Sequence, residues 1–309
     1  MRRFLKKISL FGCGILLAYC ALLALPLDKK FAYRFILGDC YAHGAWIWEQ
    51  LTDTARRPDI VFLGSSRTLH AVWENRIEDT LAQRHDQNRS LLNLGYRLLG
   101  NYLCYAFAND LFQIHQPRLL FWEVRELEDR YSHPIFGYVA DAGDVAWPAA
   151  GLHTRIVSDH WHAATVRLEY WRARLFGSEL WAMPVDTARY GYAAESRMAD
   201  AGELQAHKAE NATRDFNEKS MPRMPRIYLE KTAELARQHG VRMVFLYLPA
   251  YGAGVDQPVF LENYRQMGAV LLPPKTILDN PANWLDHGHM NDRGAAELAG
   301  WLAGELARL

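Results

Sequence analysis

The pattern of apolar and polar positions alternates short apolar runs with segments of helical periodicity over much of the chain. Four apolar runs have the length of a buried strand: "PDIVFLGSS" (58–66), "SLLNLG" (90–95), "PRLLFWEV" (117–124) and "VRMVFLYLPA" (241–250). Helical patterns separate them, among which "RIYLEKTAELARQHG" (226–240) predicts an amphipathic helix that stops at a glycine. This order predicts the α/β class: a three-layer fold with a parallel sheet and helices on both faces.

Two adjacent hydroxyl residues, Ser65 and Ser66, stand at the end of the first predicted strand. In open parallel sheets, ligands bind at the carboxyl ends of the strands. One of these two serines is therefore a candidate catalytic residue.

The alternation fails between about residues 127 and 222, where the chain is rich in Trp, Tyr and His and shows only short helical patterns. We interpret this stretch as a partly helical insertion that forms a lid or cap. Its polar end, residues 201–225, predicts a mobile loop.

The N-terminal segment predicts a membrane anchor over residues 1–30. Four basic residues, Arg2, Arg3, Lys6 and Lys7, precede an uncharged run over residues 8–27, which would span roughly 30 Å as a helix. The positive-inside rule then places the N-terminus in the cytoplasm and residues 31–309 in the periplasm or outside the cell, on a single-pass inner-membrane protein. A cleaved signal peptide is the alternative.

Charge and cysteine content narrow the classes of partner. Lys plus Arg equals Asp plus Glu at 35 each, so no strong positive field would recruit nucleic acid. Cys13 and Cys20 lie in the apolar run, which leaves Cys40 and Cys104 in the body of the chain. An oxidising compartment would permit a disulfide between these two, and two buried thiols are the alternative.

A carboxylate and an imidazole stand near the C-terminus, in "NWLDHGHMNDRG". Asp286, three residues before His289, can turn back to hold the Nδ1 proton of the imidazole and leave Nε2 free to accept a proton from a hydroxyl. Alternatively, Asp286 caps the final helix. A metal site that includes His287 is a weaker alternative, because no other cluster completes a ligand shell, and the predicted chemistry needs no cofactor.

The two motifs together resemble the SGNH or GDSL-type hydrolase superfamily, whose first block is Gly-Asp-Ser after a strand and whose last block is Asp-x-x-His. The resemblance implies that Ser66 is the nucleophile, His289 the base and Asp286 its orienting acid. Ser65 replaces the usual aspartate, as in membrane-anchored branches that serve teichoic-acid D-alanylation or polysaccharide O-acetylation.

The same resemblance implies an oxyanion hole built partly by the second block. Gly100 is the predicted donor and Gly95 the alternative. The third block departs from the family pattern, since the chain has Glu123, Arg125 and Glu126 in place of Gly-x-Asn-Asp. One such donor contributes about 3–4 kcal/mol to transition-state stabilisation, so its loss favours a slow or specialised acyl transfer.

The expected activity is therefore transfer of an acyl group, in the first instance acetyl, to a cell-envelope or secreted polysaccharide. Resemblance to the membrane-bound branch also implies a membrane-bound O-acyltransferase as partner. Two alternatives remain open: an extracytoplasmic carbohydrate esterase or deacetylase, and a non-catalytic member that binds polysaccharide.

Overall fold

The computed structural model describes residues 1–36, 43–98, 100–126, 132–146, 155–177, 191–212 and 220–309. Contacts divide the chain into two compact units. The helical unit comprises Met1–Trp48 and Pro134–Val185, and the sheet unit comprises Glu49–His133 and Asp186–Leu309. The predicted division of the sequence into an anchor (1–30), a body (31–309) and an insertion (127–222) does not coincide with these contact-based units and stays a prediction.

The described secondary structure is mostly helical. The helices are α1 (Arg2–Ala24), α2 (Lys29–Phe35), α3 (Gly44–Thr52), α4 (Ser66–Ala71), α5 (Glu74–His85), α6 (Asn101–Phe112), α7 (Phe136–Val139), α8 (Ala142–Ala146), α9 (Ile156–Phe176), α10 (Ala201–Ala212), α11 (Arg223–Gln238), α12 (Leu261–Arg265), α13 (Lys275–Leu278) and α14 (Asp292–Leu306), with a 3-10 turn at Pro281–Asn283. The strands are β1 (Ile60–Gly64), β2 (Leu91–Gly95), β3 (Leu119–Val124), β4 (Arg242–Tyr247) and β5 (Ala269–Leu271).

The described strands form one five-stranded sheet in the order β2-β1-β3-β4-β5, and every pairing is parallel. The chain runs from β1 outward to the edge strand β2, crosses back over β1 to β3, and continues through β4 to β5, so its direction of winding reverses between β1 and β3. Gly64 pairs with Gly95 of β2, and Leu63 pairs with Trp122 of β3. The ends of β1 and β3 therefore lie side by side at the point where ligands bind in doubly wound sheets.

Both faces of the sheet are covered, which explains why its strands are mostly apolar. On one face, Ile60, Phe62 and Phe121 pack with residues of α5 and α14. The alternate residues Val61 and Trp122 point to the other face and are also buried. Helices α6 and α11 pack against each other, and α11 contacts β4. The predicted α/β class, with a parallel sheet flanked by helices, is confirmed.

The helical unit contains α1, α2 and α7 to α9. A small core joins α2 and α9 through Phe31, Ala32, Val166 and Tyr170. Helix α1 is 23 residues long, mostly exposed, and apolar enough to cross a membrane, a property that a signal sequence near an N-terminus shares. The orientation of α1 relative to a membrane stays a prediction.

The prediction of a mobile loop over residues 201–225 is wrong for its first half, which forms α10. Helix α10 forms for a local reason, because Ala, Leu, Glu, Gln and Lys dominate its sequence and favour helix. The Asp200 carboxylate also accepts a hydrogen bond from the N–H of Glu203 at 3.0 Å, as an N-cap does. Residues 213–219 lie outside the described part of the chain.

Three of the four cysteines lie in the described part of the chain. Cys13 and Cys20 are exposed on α1, and Cys104 is buried in α6. Because Cys40 lies outside the described residues, a Cys40–Cys104 disulfide stays a prediction.

Candidate functional site: a hydrogen-bonded serine, histidine and aspartate

Residues 64–68, which we call the serine turn, connect β1 to α4. Ser65 is the N-cap of α4, and its Oγ accepts a hydrogen bond from the N–H of Arg67 at 3.1 Å. Ser65 thus has a local turn role. Ser66 is the first residue of α4, where a backbone N–H has no partner within the helix.

Glycine at position 64 is required by close packing. A Cβ at this position would lie 1.9 Å from Oγ1 of Thr68 and 2.6 Å from Oε2 of Glu123. Distances this short do not occur between real non-bonded atoms. The glycine of the first motif therefore lets α4 start directly against the end of β3.

Ser66, His289 and Asp286 form one continuous chain of hydrogen bonds. The Oγ of Ser66 lies 2.7 Å from Nε2 of His289, although 223 positions separate the two residues in sequence. On the other side of the ring, Nδ1 of His289 lies 2.9 Å from both Oδ1 and Oδ2 of Asp286. A hydroxyl, an imidazole and a carboxylate in this order have the geometry by which a base removes a hydroxyl proton.

The histidine loop, residues 285–289, is organised by Asp286 itself. Its Oδ1 accepts hydrogen bonds from the N–H groups of Gly288 (2.7 Å) and His289 (2.9 Å). Burial alone would raise the pKa of Asp286, but the hydrogen bonds from the His289 ring and the Gly288 N–H outweigh it and hold this pKa well below its usual range. Asp286 is therefore an ionised partner for the imidazole at neutral pH.

The final helix has a different cap. The Asn291 side chain accepts from the N–H groups of Arg293 and Gly294 at the start of α14. The alternative in which Asp286 caps that helix is therefore wrong.

Glu123, which the third-block comparison treated as a departure from the family pattern, is buried beneath the serine turn. Its Oε2 accepts hydrogen bonds from Ser65 N (2.7 Å), Thr68 N (3.2 Å) and Thr68 Oγ1 (2.6 Å). Its Oε1 accepts a fourth from Ser65 Oγ at 2.7 Å. A carboxylate within the apolar run "LLFWEV" was the available sequence signal, because buried charges require partners.

His70 is a second residue that sequence reasoning missed. It lies one turn after Ser66 on α4, and its ring meets that of His289 edge-on with centroids 5.1 Å apart. Burial lowers the pKa of His70, and the nearby His289 lowers it further, so its ring is neutral beside the candidate base. Position i+4 from the serine on a helix was the signal for this contact.

The two candidate oxyanion glycines have different surroundings. At Gly95, a Cβ would lie 2.6 Å from the backbone N of Leu69, so this glycine serves the close approach of α4 to β2. Gly100 is buried and is the N-cap of α6, the helix that follows β2. Its role as an oxyanion donor stays a prediction. Within the described residues, the Ser66 N–H has no hydrogen-bond acceptor, as a donor to a developing oxyanion requires.

Glu126, the last acidic residue of the third block, orders a neighbouring loop. Its carboxylate accepts hydrogen bonds from the N–H groups of Val259 (2.5 Å) and Phe260 (2.7 Å), just before α12. Burial raises its pKa, although these two N–H groups oppose the rise.

A cavity of about 300 Å³ lies beside the hydrogen-bonded chain, at the carboxyl ends of β3 and β4. Its polar lining includes Arg67, Glu126, His207, Asn211, Tyr247 and His287. Arg67 follows Ser66 directly, and His287 belongs to the histidine loop. The volume is at the small end of the range for ligand pockets.

Helix α10 supplies one wall of this cavity through His207 and Asn211, and His207 contacts His287 of the histidine loop. The rings of His207 and His287 lie 4.2 Å apart, and Nδ1 of His287 lies 3.3 Å from Oε1 of Glu203. His287 and His289 therefore contact different partners and do not converge on one point. Among the described residues, no group of His, Cys, Asp and Glu has the arrangement of a metal site.

Comparison of the chain with protein-family models and with curated protein sequences finds no match. The resemblance to SGNH-type hydrolases therefore stays a prediction that depends on the two short motifs, whose residues Ser66, Asp286 and His289 meet in the sheet unit.

Proposed function

We propose that the chain is a serine-dependent acyl-transferring enzyme of the SGNH type, with Ser66 as nucleophile, His289 as general base and acid, and Asp286 as the orienting carboxylate. The observation that carries the proposal is the 2.7 Å contact between Ser66 Oγ and His289 Nε2, continued by the 2.9 Å contacts from Nδ1 to Asp286. The parallel order β2-β1-β3-β4-β5 supports it, since Ser66 follows the inner strand β1, beside the point where the winding reverses.

The proposed reaction has two halves. In the first, His289 Nε2 takes the Ser66 hydroxyl proton while Oγ attacks the acyl carbonyl, and the same proton then passes to the leaving group as its bond to the acyl carbon breaks. In the second, an acceptor hydroxyl gives its proton to His289 and attacks the acyl-serine, and Ser66 leaves with that proton. The N–H groups of Ser66 and Gly100 hold the oxyanion in both halves.

We assign a sugar hydroxyl of a cell-envelope or secreted polysaccharide as the acceptor. This assignment comes from the resemblance to membrane-anchored branches, as do an acetyl donor and a membrane-bound O-acyltransferase partner. Helix α1 has the length and apolarity that a location at the inner membrane requires. In this proposal the sheet unit works in the periplasm or outside the cell.

Hydrolysis is the second candidate function, with water as the acceptor. The observation that favours it is exposure, because the side chains of His289 and Asp286 are 29% and 30% exposed. Water can therefore reach the base. A purely polysaccharide-binding role has less support, since binding alone does not need a serine, a histidine and a carboxylate in sequence.

The experiment supplies p-nitrophenyl acetate to the purified full chain in detergent, with and without an oligosaccharide acceptor. A transferase releases nitrophenol faster with the sugar and forms the acetylated sugar, whereas an esterase releases acetate at the same rate in both. Ser66→Ala should abolish either product. Ser65→Ala is the matched control and should keep substantial activity, because its hydroxyl caps a helix and lies outside the chain of proton transfer. Full activity of the Ser66→Ala protein would overturn the proposal.

A further inference from the structure

Helix α9 is apolar on two opposite faces. At about 100° per residue, the buried residues Ala163, Val166, Tyr170 and Ala173 share one face, and the last three pack in the core with α2. Val157, Trp161, Leu168 and Leu175 fall within an arc of about 40° on the opposite face, and their exposure ranges from 57% to 77%. We call these four residues the α9 stripe. A helix with a single buried face should be polar on the other one.

The stripe lies beside the apolar helix α1. The hydroxyl of Tyr19 lies 2.5 Å from Nδ1 of His160, and Nε1 of Trp171 donates to the carbonyl of Pro26 at 3.2 Å. These two contacts show that α9 follows the last third of α1 in the same direction. The first half of α9 is therefore level with the apolar part of α1, whose Phe11 and Leu17 are 72% and 70% exposed.

Charge is arranged in keeping with this alignment. The basic residues Arg172 and Arg174 are exposed at the end of α9 that is level with the end of α1, and Lys29 and Lys30 follow α1 in the sequence. The buried Asp159 and Arg167 are turned away from the stripe. Basic side chains next to an apolar face suit the headgroup region of a bilayer, where long side chains reach water.

We propose that the α9 stripe contacts phospholipid acyl chains in the leaflet from which α1 emerges, so that α9 is a second membrane-contacting element. The occupant is lipid and not a protein because the stripe continues the uncovered apolar surface of α1 within the same unit. This inference rests on the proposed membrane location of α1, and it adds a contact that the N-terminal pattern does not predict.

Photo-crosslinking tests it on the full chain, reconstituted into vesicles of phosphatidylethanolamine and phosphatidylglycerol. Benzoylphenylalanine replaces Leu168 on the stripe, Phe11 on α1, or the exposed Arg84 on α5 as a control. After irradiation, mass spectrometry counts lipid adducts, and reaction of Ser66 with a serine-directed phosphonate confirms that each variant is folded.

We expect lipid adducts with the probe at position 11 or 168 and no lipid adducts with the probe at position 84. Lipid at Phe11 with none at Leu168 would overturn the inference and leave the membrane location of α1 intact. Absence of lipid at both positions would overturn the membrane location as well. A Leu168 adduct to a second copy of the chain would show that the stripe is a protein interface and would also overturn the inference.

Discussion

The serine turn and the histidine loop are joined by the hydrogen bond between Ser66 and His289, yet they are held in place in different ways. The serine turn depends on a distant residue, since the buried Glu123 of β3 accepts four of its hydrogen bonds. The histidine loop depends on its own residue Asp286, which bonds two N–H groups and the imidazole and is 30% exposed. Ser66 is thus positioned by the sheet, and His289 by a short local motif.

Mutations in the two halves of the site should therefore have different effects. Loss of Asp286 should damage the chemistry and leave most of the fold intact, because water can replace its exposed contacts. Loss of Glu123 should damage the fold first, because buried donors would lose their acceptor.

The largest expected effect is on catalysis at the histidine loop. His289→Ala should lower acyl transfer by roughly 10⁶-fold and Asp286→Asn by about 10⁴-fold, since an amide holds the wrong tautomer of the ring. The rate of nitrophenol release measures both. Combining His289→Ala with Ser66→Ala should cost no more than either alone, because the residues act as a unit. Losses that multiply in the double variant would contradict the proposed mechanism.

The next largest effect is on stability at the serine turn. Glu123→Ala should lower the free energy of unfolding by about 3–5 kcal/mol, and Asp286→Ala by about 1 kcal/mol. Glu123→Gln should lie between them, because one oxygen can still occupy the position of Oε2. Denaturant unfolding of the full chain in detergent measures these values.

Glu126→Ala is the matched control for that experiment. It removes a half-buried carboxylate that also accepts two backbone N–H groups, but outside the serine turn. It should destabilise the protein while the Ser66 of the folded fraction reacts at the normal rate with a small sulfonyl fluoride. Glu123→Ala should slow that reaction as well. Equal reactivity of Ser66 in the two variants would show that Glu123 does not position Ser66.

A pair of glycines sharpens the comparison further. A Cβ at Gly64 would overlap Thr68 and Glu123, whereas the nearest atom to a Cβ at Gly288 is Asp286 Oδ1 at 3.5 Å. Gly64→Ala should therefore cost about 3 kcal/mol of stability through overpacking. Gly288→Ala should change it by no more than about 0.5 kcal/mol. Tolerance of alanine at position 64 would show that the turn is looser than described.

The smallest effect concerns pH. Since the folded-state pKa of Asp286 is lowered, its ionised form stabilises the fold above the unfolded-state pKa of about 3.9, and this contribution is lost as pH falls further. The stability difference between wild type and Asp286→Asn should be constant from about pH 8 to 5 and shrink below about pH 4. Unfolding midpoints across this range provide the measurement. A difference that grows on acidification would have the wrong sign.

Much of the sheet was predictable because parallel strands are buried on both faces. The runs that became β1 to β4 are mostly apolar, and each is followed by a clear change of pattern. The strand β5 has only three residues, none fully buried, and so leaves no periodic signal. The helix α10 was missed because its polar surface looked like a loop, although Asp200 and Glu203 provide a recognisable start.

The candidate site divides in a similar way. Ser66, Asp286 and His289 lie in short motifs whose geometry is largely local, so they could be predicted from the sequence. Glu123 and His70 act through contacts between different elements or around a helix, and nothing in their immediate neighbours specifies the partner. Such contacts follow from strand order and helix rotation, which only the folded chain determines.

The central claim is that Ser66 is the nucleophile, and covalent labelling tests it most directly. The full chain in detergent reacts with a serine-directed fluorophosphonate, and peptide mapping by mass spectrometry locates the label. We expect a label on Ser66, none on the Ser66→Ala protein, and a retained label on the Ser65→Ala protein. A label on Ser65, or a Ser66→Ala protein that still reacts within the serine turn, would contradict it.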